Sequence, residues 1–63
     1  MDKYAVDFAP DGAHWQTAKT GTIREMTEYF TGPEVAEQIA LNRFAAVRLV
    51  NKTTGKMIAV KPR

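Results

Sequence analysis

The middle of this 63-residue chain contains two sequence signals for the start of a helix. In the segments on either side, apolar residues alternate with other residues as they do in half-buried strands. Thr22 precedes Glu25 by three residues, the spacing of a capping box, in which each side chain bonds to the other residue's backbone N–H. Thr31 and Glu34 repeat this spacing, with a proline in the first turn. The sequence therefore predicts two short helices, the first beginning after Thr22 and the second covering about residues 33–42.

The apolar residues of this middle segment recur at helical spacing, so each helix has one face to bury. The residues expected to be buried are Ile23, Met26, Tyr29 and Phe30 in the first helix, and Val35, Ala36, Ile39 and Ala40 in the second. The acidic residues fall elsewhere and are expected on the outer side of the helical layer. They are Glu25, Glu28, Glu34 and Glu37.

Both ends of the chain show the period-two pattern of half-buried strands. In "KYAVDFA", apolar residues alternate with a mixed set that includes Asp7, and "PDG" then marks a turn. The segment "AHWQTAKT" predicts a second strand on a weaker pattern. Near the C-terminus, "FAAVRLV" and "MIAVK" flank "NKTTGK", which predicts a β-hairpin with Gly55 in the left-handed position of a four-residue turn.

The order ββ–αα–ββ predicts a single α+β domain over residues 1–63, built as a two-layer sandwich. About four mostly antiparallel strands form the sheet, the helices cover one of its faces, and the other face stays open. In the C-terminal hairpin, the residues expected to face the helices are Ala45, Val47, Leu49, Ile58 and Val60. Those expected on the open side are Phe44, Ala46, Arg48, Val50, Lys52, Met57, Ala59 and Lys61.

Charge is divided along the chain in the same way. The net charge is only +2, but residues 1–37 hold all seven acids, whereas residues 38–63 hold six of the nine bases. Such asymmetry between the two halves of a chain is more informative than the total. In the predicted fold it becomes an asymmetry between layers, with acids on the helices and bases on the hairpin and the open sheet face.

The available residue types argue against catalysis. The chain has neither serine nor cysteine, which excludes the usual activated nucleophiles, disulfides and thiolate metal sites. His14 is the single histidine, and an Asx-turn from Asp11 is favoured over an Asp–His pair that orients a base. The glutamates fit a solvated helix face better than an acid–base or cation site. No enzyme activity, small-molecule substrate, cofactor or metal is therefore expected.

Nothing in the sequence indicates a membrane segment. No apolar run approaches the about 18–20 residues that span a bilayer. The N-terminal residues also lack the basic region and long apolar run of a signal peptide. A cytoplasmic location without membrane contact is therefore expected.

Trp15 is the only tryptophan, and two interpretations of it are open. In a domain this small a tryptophan is usually part of the core, and this interpretation is favoured. The alternative is an exposed anchor for a partner, since large aromatic residues dominate binding hot spots.

The basic hairpin is the feature that points to a function, and it also has two interpretations. Lysine and arginine on a solvent-facing sheet keep a protein soluble and protect strand edges from aggregation. Cations interleaved with apolar and aromatic side chains instead suit a polyanion or an acidic protein surface. The candidate binding residues are Phe44, Arg48, Val50, Lys52, Lys56, Met57, Lys61 and Arg63.

We therefore hypothesise a non-enzymatic binding module whose basic, partly apolar hairpin and open sheet face engage an acidic partner. That partner would be a nucleic acid, a nucleoprotein or an acidic protein surface. The alternative is a structural or assembly protein that forms a homodimer through the same face. In that case Phe44, Val50 and Met57 would lie between the subunits.

The run "AEQIALNRFAAVRLVNKTTGKMI", residues 36–58, resembles a pattern of small bacterial and phage-encoded α+β proteins: a helix, a V-R-L-V strand and a T-T-G-K hairpin. The small size, the absence of cysteine and the bipolar charge are similar to those of phage-borne inhibitor proteins such as anti-CRISPRs. The resemblance implies the helix–strand–hairpin fold and an accessory or inhibitor role. Its motifs are turn and packing motifs, so it transfers no activity.

Overall fold

Four strands and two helices follow one another in the order ββ–αα–ββ in the computed structural model, which describes residues 2–61. The strands are β1 (Tyr4–Ala9), β2 (Gln16–Gly21), β3 (Ala46–Asn51) and β4 (Lys56–Lys61), and the helices are α1 (Ile23–Thr31) and α2 (Pro33–Ala40). The α+β fold class and the element order expected from the sequence are confirmed.

The sheet has the strand order β2-β1-β3-β4, and each neighbouring pair is antiparallel. Two hairpins, β1–β2 and β3–β4, are thus joined by the pairing of β1 with β3. This arrangement puts β1 and β3 at the centre of the sheet and leaves β2 and β4 as its edges. Helix α1 packs on the sheet, and α2 packs mainly against α1.

One apolar core lies between the helices and the sheet. Its buried residues are Val6, Met26, Phe30, Val35, Val47 and Leu49, and Tyr4, Phe8, Tyr29, Ile39, Phe44 and Ala59 pack around them. The predicted helix faces are confirmed for Met26, Phe30 and Val35. Ile23, which was predicted to be buried, is 41% exposed, and Ala36 and Ala40 are exposed because α2 packs on α1 rather than on the sheet. Neither helix of residues 2–61 is long and apolar enough to cross a membrane.

The capping box at the start of α1 is confirmed. The Thr22 hydroxyl accepts a hydrogen bond from the Glu25 N–H at 3.2 Å, and the Glu25 carboxylate accepts one from the Thr22 N–H at 3.2 Å. The hydrogen bonds from the backbone and the hydroxyl of Thr22 hold the pKa of Glu25 below its usual value. This end of α1 therefore satisfies its own free N–H groups locally.

The second predicted capping box is wrong. Gly32 is the N-cap of α2, and it has no side chain to accept a hydrogen bond. Because a single residue separates the two helices, Thr31 still belongs to α1, and its hydroxyl donates to the Thr27 carbonyl at 2.8 Å. Helix α2 is also shorter than predicted, since it ends at Ala40.

A β-bulge makes the predicted hairpin faces partly wrong. Val47 and Leu49 face the helices as expected and are buried in the core. The pairing of β3 with β4 then shifts between Leu49 and Val50, which leaves Ile58 as an extra residue on β4. Ile58 was expected in the interior, but it is 48% exposed.

On the other side of the bulge, the alternation of β4 is inverted relative to the prediction. Ala59 packs against the core, and Lys61 pairs with Val47 on the helix side. Val60, which was expected to face the helices, pairs with Arg48 on the open side. Ala45 precedes β3 and is exposed. One inserted residue thus moves every following side chain of β4 to the opposite face of the sheet.

The capping geometry makes a first prediction. Thr22→Ala removes the acceptor for the Glu25 N–H, and we expect it to lower the free energy of unfolding by about 1 kcal/mol. Urea denaturation measures the loss. The matched control is Thr31→Ala, which deletes a hydroxyl that caps no helix, and its effect should stay within about 0.5 kcal/mol. Equal losses in the two variants would contradict the capping role of Thr22.

Candidate functional site

The face of the sheet that the helices leave open has a carboxylate near its centre. Asp7 lies on the central strand β1 and is only 2% exposed. Its cross-strand neighbours are Thr17 of β2 and Arg48 of β3, and Arg48 in turn pairs with Val60 of β4. Directly paired residues of antiparallel strands share a face. These four residues therefore form one row across the whole sheet.

Three side chains donate hydrogen bonds to Asp7. Nε and Nη2 of Arg48 each donate to Oδ2 at 3.2 Å, and Nζ of Lys52 donates to the same oxygen at 3.1 Å. The Thr17 hydroxyl donates to Oδ1 at 3.0 Å. Both carboxylate oxygens are thus occupied, and β1 is linked through them to β2, to β3 and to the start of the hairpin turn.

Two cations share this one carboxylate, so the cluster holds one positive charge in excess. Burial by itself raises the pKa of Asp7, but the hydrogen bonds from Lys52, Thr17 and Arg48 outweigh it and leave the pKa below its usual value. Asp7 is therefore ionised at neutral pH. The side chains of Arg48 and Lys52 are 29% and 39% exposed, so the excess positive charge is accessible from solvent.

The side chain of Lys52 covers part of the open face. Lys52 lies just after the end of β3. Asp7 pairs with Arg48, which comes four residues before Lys52 in the chain. Between them lies the pair of Ala5 and Val50, which the lysine stem has to cross to reach the carboxylate. Such a stem buries apolar surface while its charged end stays polar. This explains why Val50 is only 6% exposed although no helix covers it.

Trp15 belongs to the open face and not to the core. The guanidinium carbon of Arg48 lies 4.2 Å from the centre of the indole ring, a cation–π contact. Trp15 is half-buried there, on the loop that connects β1 to β2. The favoured interpretation of Trp15 as a core residue is therefore wrong. The indole covers one side of the guanidinium plane, which restricts the orientation of Arg48.

A shallow groove of about 210 Å³ lies beside the ion cluster. Its lining residues are Arg48, Val50, Asn51, Lys52, Gly55 and Met57. Met57 pairs with Val50 across the hairpin, is 53% exposed and supplies apolar surface to the groove. Gly55 adopts φ 77°, the left-handed conformation expected for the turn, and leaves this end of the groove without a side chain. The groove thus combines positive charge and an exposed apolar surface.

Four of the predicted binding residues meet in this groove: Arg48, Val50, Lys52 and Met57. Lys56 is exposed on the same hairpin but is not part of the groove lining. Arg63, the last of the predicted set, lies outside the residues that the structure describes.

Phe44 and Lys61 were predicted on this face, but both lie on the helix side of the sheet. Phe44 precedes β3, so the strand alternation does not apply to it, and its ring stacks on Phe8 with centroids 4.4 Å apart. Lys61 is on the helix side because of the bulge in β4. Its Nζ donates to the Phe30 carbonyl at 3.0 Å and lies 4.9 Å from the Phe30 ring centre. It thus interacts with a helix rather than with the groove.

Asp7 is the site residue that sequence reasoning missed. The sequence pattern places Asp7 only on the mixed face of the first strand. A partial signal existed, since Arg48 and Lys52 are four residues apart and so share one side of an extended segment. What joins them to Asp7 is the pairing of β1 with β3, and that pairing bridges about forty residues of chain, a separation over which local pattern carries no information.

Asp11 and His14 form a turn away from this site. Oδ1 of Asp11 accepts hydrogen bonds from the N–H groups of Ala13 and His14 at 2.9 and 2.8 Å, which confirms the expected Asx-turn, and Oδ2 contacts the His14 ring. The backbone hydrogen bonds from His14 and Ala13 hold the pKa of Asp11 well below its usual value. Across residues 2–61, no group of three or more histidine or acidic side chains is arranged to hold a metal ion.

Comparison with protein-family models, with curated proteins and with solved structures gives no match. The geometry and charge of the open face are therefore the basis for a functional conclusion.

The ion cluster makes a second prediction. Asp7→Asn leaves Arg48 and Lys52 partly buried without a counter-charge, and we expect it to lower the free energy of unfolding by about 2–3 kcal/mol at neutral pH. This is less than for a fully buried pair, because both cations keep contact with water. Asp11→Asn is the matched control: the amide oxygen preserves the Asx-turn in an exposed loop, so its effect should be much smaller than that of Asp7→Asn.

A pH series tests the charge on Asp7 directly. Because the folded pKa of Asp7 is lowered, its contribution to stability is complete above the ordinary carboxyl pKa of about 4 and is lost as the pH falls below it. The stability gap between wild type and Asp7→Asn should therefore narrow as the pH falls from about 6 towards about 3, because the carboxylate then takes up a proton. Denaturation curves at each pH measure the gap. A gap that stays constant would mean that the carboxylate charge is not responsible for the loss.

Proposed function

We propose that this chain is a binding module that engages an acidic partner through the open face of its sheet. The observation that carries the proposal is the pair of cations, Arg48 and Lys52, held on one buried carboxylate beside the exposed side chain of Met57. Their excess positive charge attracts an acidic surface, and Met57 supplies apolar contact area. Arginine and methionine are both enriched at protein interfaces.

The cluster is also ordered before a partner arrives. Arg48 is held between Asp7 and the Trp15 ring, and Lys52 is held by the same carboxylate. Flexible side chains lose rotamer freedom when an interface forms, at a cost of about 0.5–1.5 kcal/mol each. Side chains that are already fixed avoid part of this cost. The same ordering supports a binding role over a purely solubilising one, for which mobile surface lysines suffice.

A catalytic role is not part of the proposal. Asp7 is the one carboxylate among residues 2–61 that is buried, and its low pKa and four hydrogen bonds make it a poor proton acceptor. A module of this kind acts by occupying the surface of its partner. This is compatible with the inhibitor role that the resemblance to phage-borne proteins implies.

The homodimer alternative is less favoured by the geometry. It depends on Phe44, Val50 and Met57 as the apolar centre between two subunits. Phe44 is packed on the helix side, and Val50 is 6% exposed, so Met57 alone of the three offers free surface on the open face. A stable interface buries about 800 Å² on each partner and has a well-packed apolar centre.

A capture experiment with paired variants makes the third prediction. The immobilised chain is used to retain partners from a lysate of its source cells, with and without nuclease treatment. The open-face variant combines Lys52→Gln with Met57→Ser, and the matched helix-side variant combines Lys19→Gln with Ile23→Ser. Both pairs remove one lysine charge and one exposed apolar side chain. We expect the open-face variant alone to lose an acidic partner that wild type retains, since unfavourable changes at an interface centre cost 2 kcal/mol or more.

Circular dichroism of both variants first establishes that they fold like wild type. Loss of the partner with the helix-side variant alone would mean that the helices are the interaction surface. Equal retention by both variants, or a partner with a basic surface, would contradict the proposed function.

A further inference from the structure

The donors of the ion cluster are only partly used. Arg48 donates to Asp7 through Nε and Nη2, and within residues 2–61 the structure records no acceptor for its Nη1. Lys52 has three donor hydrogens and uses one of them on Asp7. Both cations line the groove and have hydrogen-bond capacity left. An incoming oxyanion would receive charge-assisted hydrogen bonds from both, which are stronger than neutral ones.

The rest of the groove limits what such an anion can belong to. Met57 provides exposed apolar surface beside the cations, so the ligand has to bring carbon atoms as well as charge. With a volume of about 210 Å³, the groove is smaller than the pockets of whole drug-sized ligands, which begin at about 300 Å³. It suits a single side chain. The carboxylate and the methylene groups of a glutamate or aspartate side chain match the cations and this apolar surface.

A nucleic acid fits the same face poorly. Binding to a phosphate backbone draws its affinity from many separate lysine and arginine contacts along the strand. Here the two groove cations converge on a single oxygen atom, and Lys61 lies on the other face of the sheet. Binding to unpaired bases also needs aromatic rings with a free face for stacking. The ring of Trp15 carries Arg48 on one side and is half-buried, which leaves little of it for stacking.

We infer that the groove lined by Arg48, Lys52 and Met57 binds an acidic side chain from a peptide segment of a protein partner, rather than a nucleic acid. The inference rests on the proposed function and specifies its partner class. The carboxylate lies between Arg48 and Lys52, and the methylene groups of the same side chain pack on Met57. Asp7 acts as a positioning residue, since it holds both cations from the opposite side.

The chain carries its own reporter for this site. Trp15 is the only tryptophan and contacts Arg48, so its fluorescence responds when the guanidinium gains a ligand. The probe is a short peptide that alternates glutamate and leucine, titrated into the full chain. We expect a saturable change in Trp15 fluorescence, together with backbone amide shifts in an NMR spectrum that centre on Arg48, Lys52 and Met57.

Three lysine variants locate the binding. Lys52→Gln should weaken the peptide about tenfold, the effect of losing one charge-assisted hydrogen bond. Lys56→Gln removes the same charge from the same hairpin but outside the groove, and it should weaken the peptide less. Lys19→Gln, on the helix side, should leave the affinity within about twofold of wild type. Met57→Ser provides a second test of the groove that does not touch the ion cluster.

Two further ligands separate the outcomes. A peptide with glutamine in place of glutamate should not bind, and equal binding by it would overturn the role of the carboxylate. A single-stranded oligothymidylate of the same net charge should bind more weakly than the acidic peptide. If the oligonucleotide instead binds more tightly and loses affinity with Lys52→Gln, the inference about the partner is wrong while the open face remains the binding surface. If wild type binds neither ligand, or Lys52→Gln and Lys19→Gln weaken the peptide equally, the groove assignment fails even where the capture experiment succeeds.

Discussion

The carboxylate of Asp7 lies on the face of the sheet that no helix covers. The side chains that neutralise it and hydrogen-bond to it organise the open half of the molecule. A buried charge is tolerated only when it is paired and hydrogen-bonded. Here the partners come from three different segments, because Thr17, Arg48 and Lys52 belong to β2, β3 and the hairpin turn. The cluster therefore ties both hairpins together on the face where no apolar core can do so.

The two faces of the sheet are held together by different interactions. On the helix side, apolar residues from every element except β2 pack into one core or against it, as is usual when one sheet face is covered. In a domain of this size such a core leaves only a few kcal/mol of net stability. On the open side, an ordered polar cluster takes the place of apolar packing. The excess positive charge, held in a fixed geometry beside Met57, is the basis of the proposed binding role.

The sequence predicts the secondary-structure elements better than it predicts which side chains lie on which face of the sheet. The helix that begins after Thr22, the turn at Gly55 and the order of the six elements follow from local patterns and are present in the structure. The predicted faces of the C-terminal hairpin were partly wrong, for a reason that the alternation of apolar and polar residues cannot reveal. A bulge at Ile58 depends on how β4 pairs with its neighbour, and a single extra residue turns Lys61 from one side of the sheet to the other.

The amino-acid sequence by itself determined the local units of this protein, the absence of cysteine and serine chemistry, and the separation of acids from bases along the chain. These properties follow from composition and from spacings of two to four residues, within which side chains interact directly. Only the tertiary structure decided that β1 lies between β2 and β3, and that pairing brings Asp7 to Arg48 across forty-one positions. Tertiary packing also decided that Trp15 covers a guanidinium instead of filling the core. Contacts between distant segments depend on the whole chain finding one arrangement of lowest free energy, so no short stretch of sequence encodes them.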